Sequence, residues 1–196
     1  VAIVELSPMM ALELTSSLPI TESGVTPRRW LENYLANPAS IREKAHGLIP
    51  DLTVTQAIWR GGYPGLLTVD DRHISRYFAG YFNTYVERDV RTQAEIEQLM
   101  KFEDFVALLA AISAQEINYS ELGREIAASG KTAQRWLALL RATYMWRDVR
   151  PFVGNTIKRV TEKNKGYFVD TGFACYLLGI TSPLRIMGHP MFGSLF

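Results

Sequence analysis

Residues 70–91 constrain this chain most, because their apolar positions alternate in steps of three and one. This spacing is typical of one continuous helix face, and a face so rich in aromatic rings needs a partner. We therefore predict a helix whose rings belong to the core, not to an exposed base-stacking surface. An oligomerisation module built on 70–86 stays open as an alternative. The stripe consists of Ile74, Tyr77, Phe78, Tyr81, Phe82, Tyr85 and Val86.

Length and composition indicate a folded protein with ordinary proportions. The chain has 196 residues, with 47% apolar and 21% charged residues, which excludes a disordered tail and allows one domain or two small ones. Its single cysteine excludes a disulfide framework. No apolar run is long enough to span a bilayer, and the first residues lack a secretory signal, so we expect a cytoplasmic protein with no membrane partner. Its two ends look like those of a piece of a longer protein.

Residues 117–170 carry the pattern of a winged helix-turn-helix. Two short amphipathic helices are predicted at about 120–128 and 131–143, separated by Ser129-Gly130 and with Ser120 as the first N-cap. Extended segments follow up to residue 170. The predicted fold class is mainly α: a helical subdomain followed by a winged helix-turn-helix with a small β-wing.

Basic residues concentrate in 131–165, although the whole chain has a net charge of only +1. The segment holds nine basic and two acidic residues, a net charge of +7, and coincides with the predicted recognition helix and wing. These are the elements that meet a DNA groove and its phosphates, so we predict that they bind either DNA or an acidic partner domain. The candidate DNA-binding residues are Lys131, Thr132, Gln134, Arg135, Lys158, Arg159, Lys163 and Lys165.

Signs of catalysis are few. The run Gly130-Lys131-Thr132 resembles the end of a phosphate-binding loop, but Glu125 stands where that motif needs glycine. Asp170 follows a predicted strand and precedes a helix, so it is interpreted as an N-cap. Its alternative role is one carboxylate of a metal-dependent nuclease site, which needs further acidic ligands. No catalytic residue, metal ligand or cofactor is therefore assigned within this chain.

Several runs together resemble a family of prokaryotic ATP-binding proteins. Its members join an N-terminal AAA-type ATPase domain to a C-terminal domain of unknown function. The runs are VAIVELSPMMALEL at 1–14, WRGGYPGLL at 59–67, YVERDVR at 85–91, YFVDTGFACYLLGI at 167–180 and HPMFGSLF at 189–196. The family's P-loop would lie before Val1, and its nuclease-like end after Phe196.

The resemblance implies a domain organisation and a function. Residues 1–27 would be the tail of the ATPase domain, 28–115 a helical linker subdomain, 116–170 the winged helix, and 171–196 the start of a C-terminal segment. The chain would be a non-catalytic part of an ATPase that uses ATP and Mg²⁺, with its own ATPase domain as a partner. The resemblance also makes Arg88 and Arg91 candidates for supplying an arginine to the bound nucleotide. An ion pair with Glu87 or Asp89 at the helix end is the alternative.

Overall fold

A computed structural model of the chain describes residues 32, 35–37, 52–90, 96–152 and 163–195. The predicted N-terminal segment 1–27 lies outside the described residues. Across the described ranges the fold is mainly helical, with a two-stranded antiparallel sheet, which confirms the mainly α class. None of the described helices combines the length and apolar character needed to cross a membrane.

The elements follow one another with short connections. The helices are α1 (Val54–Arg60), α2 (Ile74–Tyr85), α3 (Ile96–Ala111), α4 (Tyr119–Glu125), α5 (Gly130–Ala142), α6 (Thr171–Leu177) and α7 (Phe192–Leu195). The strands are β1 (Trp146–Val149) and β2 (Lys165–Phe168). Single 3-10 turns occupy Pro64–Leu66, Asp71–His73 and Pro183–Arg185, and a π-turn at Val86–Val90 extends α2.

Helix α2 places its aromatic stripe in the core, as the periodicity predicts. Phe78 is fully buried and Phe82 is 7% exposed, whereas Tyr77 and Tyr81 are partly buried at the edge of the same face. Phe173 of α6 lies across this face, with ring centroids 5.9 Å from Phe78 and 5.8 Å from Phe82. The chain itself therefore supplies the cover that this face of α2 requires.

Helices α4 and α5 pack against each other and are followed by the β1–β2 pair. Asn118, not the predicted Ser120, caps α4: its side chain accepts a hydrogen bond from the backbone N–H of Glu121. Ser120 instead lies within the helix, two residues after the cap position. Strand β1 pairs with β2 over its whole length, from Trp146 opposite Phe168 to Val149 opposite Lys165.

A segment before α4 extends the small sheet. Glu116 forms an isolated antiparallel bridge with Lys165, and the backbone N–H of Ala114 donates to the carbonyl of Gly166 at 2.8 Å. Strand β2 therefore lies between this segment and β1. The order after α2 is helix, bridge, helix, helix, strand, strand.

One cluster of buried apolar residues joins these elements. It extends from Ile58 in α1 to Leu195 in α7 and includes Phe105 of α3 and Leu137 of α5, both fully buried. The predicted ranges 28–115, 116–170 and 171–196 all contribute to it. Helix α6 contacts α1, α2 and α3, so residues after 170 complete a core begun before residue 115.

Candidate nucleic-acid interface

The first turns of α5 present three of the predicted DNA-binding side chains to solvent. Lys131, Gln134 and Arg135 are exposed, while Ala133 and Trp136 of the same helix are buried. This alternation follows from the helical period, because residues three and four apart share a face. No acidic residue lies in the first turn of α5. The exposed face is therefore polar and positively charged at its beginning.

Thr132 is engaged in the helix cap. Ser129 accepts a hydrogen bond from the backbone N–H of Thr132 at 3.0 Å, and the two hydroxyl oxygens lie 2.9 Å apart. Ser129 thus satisfies one of the free amides at the helix start. Thr132 is partly buried, unlike Lys131, Gln134 and Arg135. Its hydroxyl contacts the Ser129 hydroxyl in the cap and is not presented to solvent in the way that those three side chains are.

The β1–β2 pair carries a second group of basic residues. Lys163 and Lys165 are exposed, and Lys165 stands opposite Val149 at the end of the pair where the connection between the strands begins. Arg147 and Arg150 are exposed at β1 and just after it. Lys158 and Arg159 belong to the connection and lie outside the described residues.

Arg141 is one of the nine basic residues counted in 131–165, but its charge is paired within the fold. Its guanidinium lies 2.6 Å from the Asp148 carboxylate and 3.0 Å from the Tyr119 hydroxyl. The indole N–H of Trp146 donates to the same carboxylate at 3.0 Å. Burial alone lowers the pKa of Arg141, but the bonds to Tyr119 and Asp148 outweigh it and raise that pKa. Arg141 and Asp148 therefore join α5 to β1.

Asp170 occupies a buried junction between α1 and α6. It is 3% exposed, and its carboxylate accepts the backbone N–H of Phe173 at 2.8 Å and that of Gly62 at 2.7 Å. Burial raises the pKa of this carboxyl, while amide hydrogen bonds from Gly62, Phe173 and Gly172 act in the opposite direction. The N-cap interpretation of Asp170 is confirmed.

The geometry around Asp170 bears on its alternative role as a metal ligand. Both carboxylate oxygens accept amide hydrogens. Within the described part of the chain, no group of three or more histidine, cysteine, aspartate or glutamate side chains could hold a metal ion.

Cys175 lies one turn into α6, where burial first and Asp170 second raise its pKa to about 12, so the thiol stays protonated at neutral pH.

Arg60 has a role that no sequence pattern predicted. Its guanidinium donates to the carbonyls of Leu66 at 2.7 Å and Val69 at 2.8 Å, and it forms an ion pair with Asp71. Arg60 thereby closes the glycine-rich loop that follows α1. The sequence feature that could have indicated this role is an arginine directly before two glycines. A tight loop leaves backbone carbonyls without partners, and the five N–H donors of one guanidinium can bind several of them.

The two glycines after Arg60 bring the loop to Asp170. Gly61 has φ +73° and ψ −173°, a conformation that is essentially restricted to glycine, and a Cβ on it would collide with the Asp170 carboxylate. Gly172 lies against the same loop, where a Cβ would be 2.5 Å from the carbonyl oxygen of Arg60. The runs at 59–67 and 167–173 therefore form one contact.

The two arginines singled out by the resemblance fare differently. Arg88 is exposed on the π-turn Val86–Val90, on the wall of a groove along α2. Arg91 lies outside the described residues. The nucleotide-proximal role of the two arginines stays a prediction.

Comparison with known proteins identifies relatives of this chain without a described activity. A family model described as "Domain of unknown function (DUF8612)" matches residues 52–184, from the residues before α1 to the last 3-10 turn. Two uncharacterized proteins, one of Mycobacterium bovis and one of Mycobacterium tuberculosis, are each 30% identical over 139 residues, covering 70% of this chain and 32% of each relative. The chain thus spans about a third of their length. No solved structure matches it significantly.

Proposed function

The chain belongs to the DUF8612 family of domains of unknown function, and from this premise we propose that it is a non-catalytic DNA-binding module. In the proposal, residues 116–170 form a winged helix, α5 enters the major groove, and the connection between β1 and β2 holds the phosphate backbone. The observation that carries the proposal is the exposed basic face at the start of α5.

The order of elements supports the winged-helix part of the proposal. Helix α3 comes first, and the bridge at Glu116 precedes α4 and α5, which are joined by a short turn. Strands β1 and β2 then pair with a connection of fifteen residues, 150–164, between them. A helix-turn-helix followed by a hairpin is the arrangement in which the second helix reads DNA and the hairpin touches the backbone.

The charge distribution supports a polyanionic partner. Lys131 and Arg135 project from α5, and Lys163 and Lys165 project near the base of the hairpin connection. The free amides at the start of a helix also favour a phosphate. Arg141 is paired with Asp148. The charge of the binding surface therefore comes from the exposed lysines and arginines and is smaller than the net charge of +7 counted for residues 131–165.

The wider context of the proposal is an ATPase. Since the chain spans about a third of its mycobacterial relatives, the remainder of such a protein has room for a nucleotide-hydrolysing domain. We propose that the module belongs to a prokaryotic AAA-type ATPase that uses ATP and Mg²⁺. Its ATPase domain would then be a neighbour of this chain, and the basic surface would hold DNA while the ATPase acts.

Fluorescence polarisation with a generic DNA duplex over a salt series tests the proposal. We expect binding whose logarithmic affinity falls linearly with the logarithm of salt concentration. The double variant Lys131→Ala, Arg135→Ala should flatten that slope by about two, since each lost phosphate contact removes roughly one.

A matched control separates a specific surface from general charge. Arg76 on α2 and Arg185 in the last 3-10 turn are exposed and lie outside the proposed surface. Their double alanine variant loses the same charge and should leave the slope nearly unchanged. Absence of binding at low salt, or equal effects of the two double variants, would reject DNA binding and favour an acidic partner domain.

A further inference from the structure

A groove of about 520 Å³ runs along the outer side of α2 and reaches the π-turn that follows it. Its lining includes Tyr77, Gly80, Tyr81, Thr84 and Arg88. These residues lie outside the surface proposed for DNA. The volume is within the range of pockets that hold small ligands, roughly 300–1,000 Å³.

The groove follows from two neighbouring rows of side chains on one helix. Tyr77 and Tyr81 are four residues apart and stand in one row, while Gly80 and Thr84 stand in the next. The tyrosines form a wall, and the small residues form a floor. A Cβ built on Gly80 meets no atom within 4 Å, so the space above the floor is open.

The aromatic wall is held in place by the core behind it. The Tyr81 ring packs edge-on against Phe173, with centroids 5.7 Å apart, and lies 5.1 Å from the ring of Tyr63. Tyr77 packs edge-on against Phe78 at 5.6 Å. Because these rings are already ordered, a planar ligand stacking on them would not need to order them first.

Arg88 provides the charge of the groove. Among the described lining residues it is the charged one, and it is exposed. Side chains of a helix lean toward its N-terminus, which directs a residue at this position back toward Thr84. A rise of 1.5 Å per residue separates Tyr81 and Arg88 by about 10 Å along the axis. Arg88 also sits on a π-turn, a helix irregularity that often accompanies functional sites.

We propose that this groove binds a small ligand that joins a planar ring to an anionic group. The ring lies against Tyr77 and Tyr81, and the anion pairs with Arg88. A nucleoside monophosphate and an aromatic carboxylate share this chemistry. The inference does not depend on DNA binding, because it uses a different face of the molecule.

Titration of the full chain with four probes, monitored by saturation-transfer NMR, tests the ring and the anionic group of the ligand separately. The probes are AMP, adenosine, inorganic phosphate and 4-hydroxybenzoate. We expect AMP, or the benzoate if the natural anion is a carboxylate, to bind about tenfold more tightly than adenosine, as a charge-assisted contact gives. The preferred anion then identifies the class of ligand.

Two variants locate the binding. Arg88→Gln should weaken binding of the preferred anionic probe to the level of adenosine, and Gly80→Leu should remove binding of every probe by filling the floor. Arg76→Gln, an exposed arginine of the same helix outside the lining, is the matched control and should change nothing. Circular dichroism and Gly80→Ala, whose Cβ has open space, check that the helix is intact.

Two results would overturn the inference. One is no binding of any probe at millimolar concentration; the other is binding that Arg88→Gln and Gly80→Leu leave unchanged. The Lys131→Ala, Arg135→Ala variant should bind the probes normally. Loss of DNA binding with retained probe binding, or the reverse, therefore shows which of the two proposals fails.

Discussion

Two aspartates hold this fold together in opposite ways. Asp148 meets a cation, Arg141, and lies at a partly exposed junction between α5 and β1, where its side chain is 21% exposed. Asp170 is 3% exposed and accepts hydrogen bonds from backbone amides of the α6 cap and of the loop after α1. The first contact joins residues seven positions apart, whereas the second joins residues 108 positions apart.

The comparison teaches how burial changes the role of a carboxylate. At Asp148 the partner is a cation, the guanidinium of Arg141, 2.6 Å away. At Asp170 the partners are neutral backbone amides. The effect of burial on the pKa is therefore larger than that of the hydrogen bonds, and the pKa is raised. The Asp170 junction is therefore stabilised by saturating buried N–H groups, and the Asp148 junction by pairing charges.

The largest expected effect is at Asp170. Asp170→Ala leaves the N–H groups of Gly62 and Phe173 without their acceptor inside the protein and removes the cap of α6. We expect a loss of about 3 kcal/mol in the free energy of unfolding, from a lost cap and an unsatisfied buried donor. Urea denaturation measures the loss.

Asp70 is the matched control for this substitution. It also caps a turn, accepting the N–H of Arg72, but it is exposed to water. Water can replace its hydrogen bonds, so Asp70→Ala should cost much less. Equal losses for the two variants would show that the contact to Gly62 adds nothing to the cap.

A smaller effect is expected at the charged junction. Arg141→Met keeps most of the packing and leaves Asp148 with the indole N–H of Trp146. We expect a loss of about 1–2 kcal/mol, between the values for exposed and buried ion pairs. A double-mutant cycle with Asp148→Asn isolates the pair, and a coupling energy near zero would contradict this role. Arg124→Met, which breaks an exposed 3.8 Å pair with Glu125, should be neutral.

The smallest expected effect is a pH dependence of the free energy of unfolding that comes from the Asp170 junction. Because the folded protein raises the pKa of Asp170, the native state binds its proton more tightly than the unfolded chain does. This contribution is complete below the unfolded value of about 4 and is lost as the pH rises through the folded value. The stability difference between the natural protein and Asp170→Asn should therefore shrink from pH 4 to pH 7. A difference that grows with pH would mean that the amide hydrogen bonds outweigh burial.

Local patterns predicted much of the fold. The three-and-one spacing located α2, and the break at Ser129-Gly130 placed α5 within one residue of its observed bounds. The cap at Asp170 was also predictable, because an aspartate between a strand and a helix start has amides within reach. These features depend on neighbours in sequence, whose geometry the helical and extended periods dictate.

Contacts between distant segments were not predictable in the same way. The glycine-rich run at 59–67 and the run at 167–180 are far apart in the sequence, and neither contains a pattern that predicts its contact with the other. The hydrogen bond from the backbone N–H of Gly62 to Asp170, 108 positions away, forms only when α1 and α6 pack together.

Periodicity and composition alone predicted that the chain is mainly helical, that α2 has a buried aromatic face, and that basic residues accumulate after residue 130. Tertiary structure decided which of those basic residues face solvent. Lys131 and Arg135 are exposed, while Arg141 is partly buried and forms an ion pair with Asp148. The physical reason is that charge is a property of the residue, whereas its availability depends on the partners that packing brings within a few ångströms.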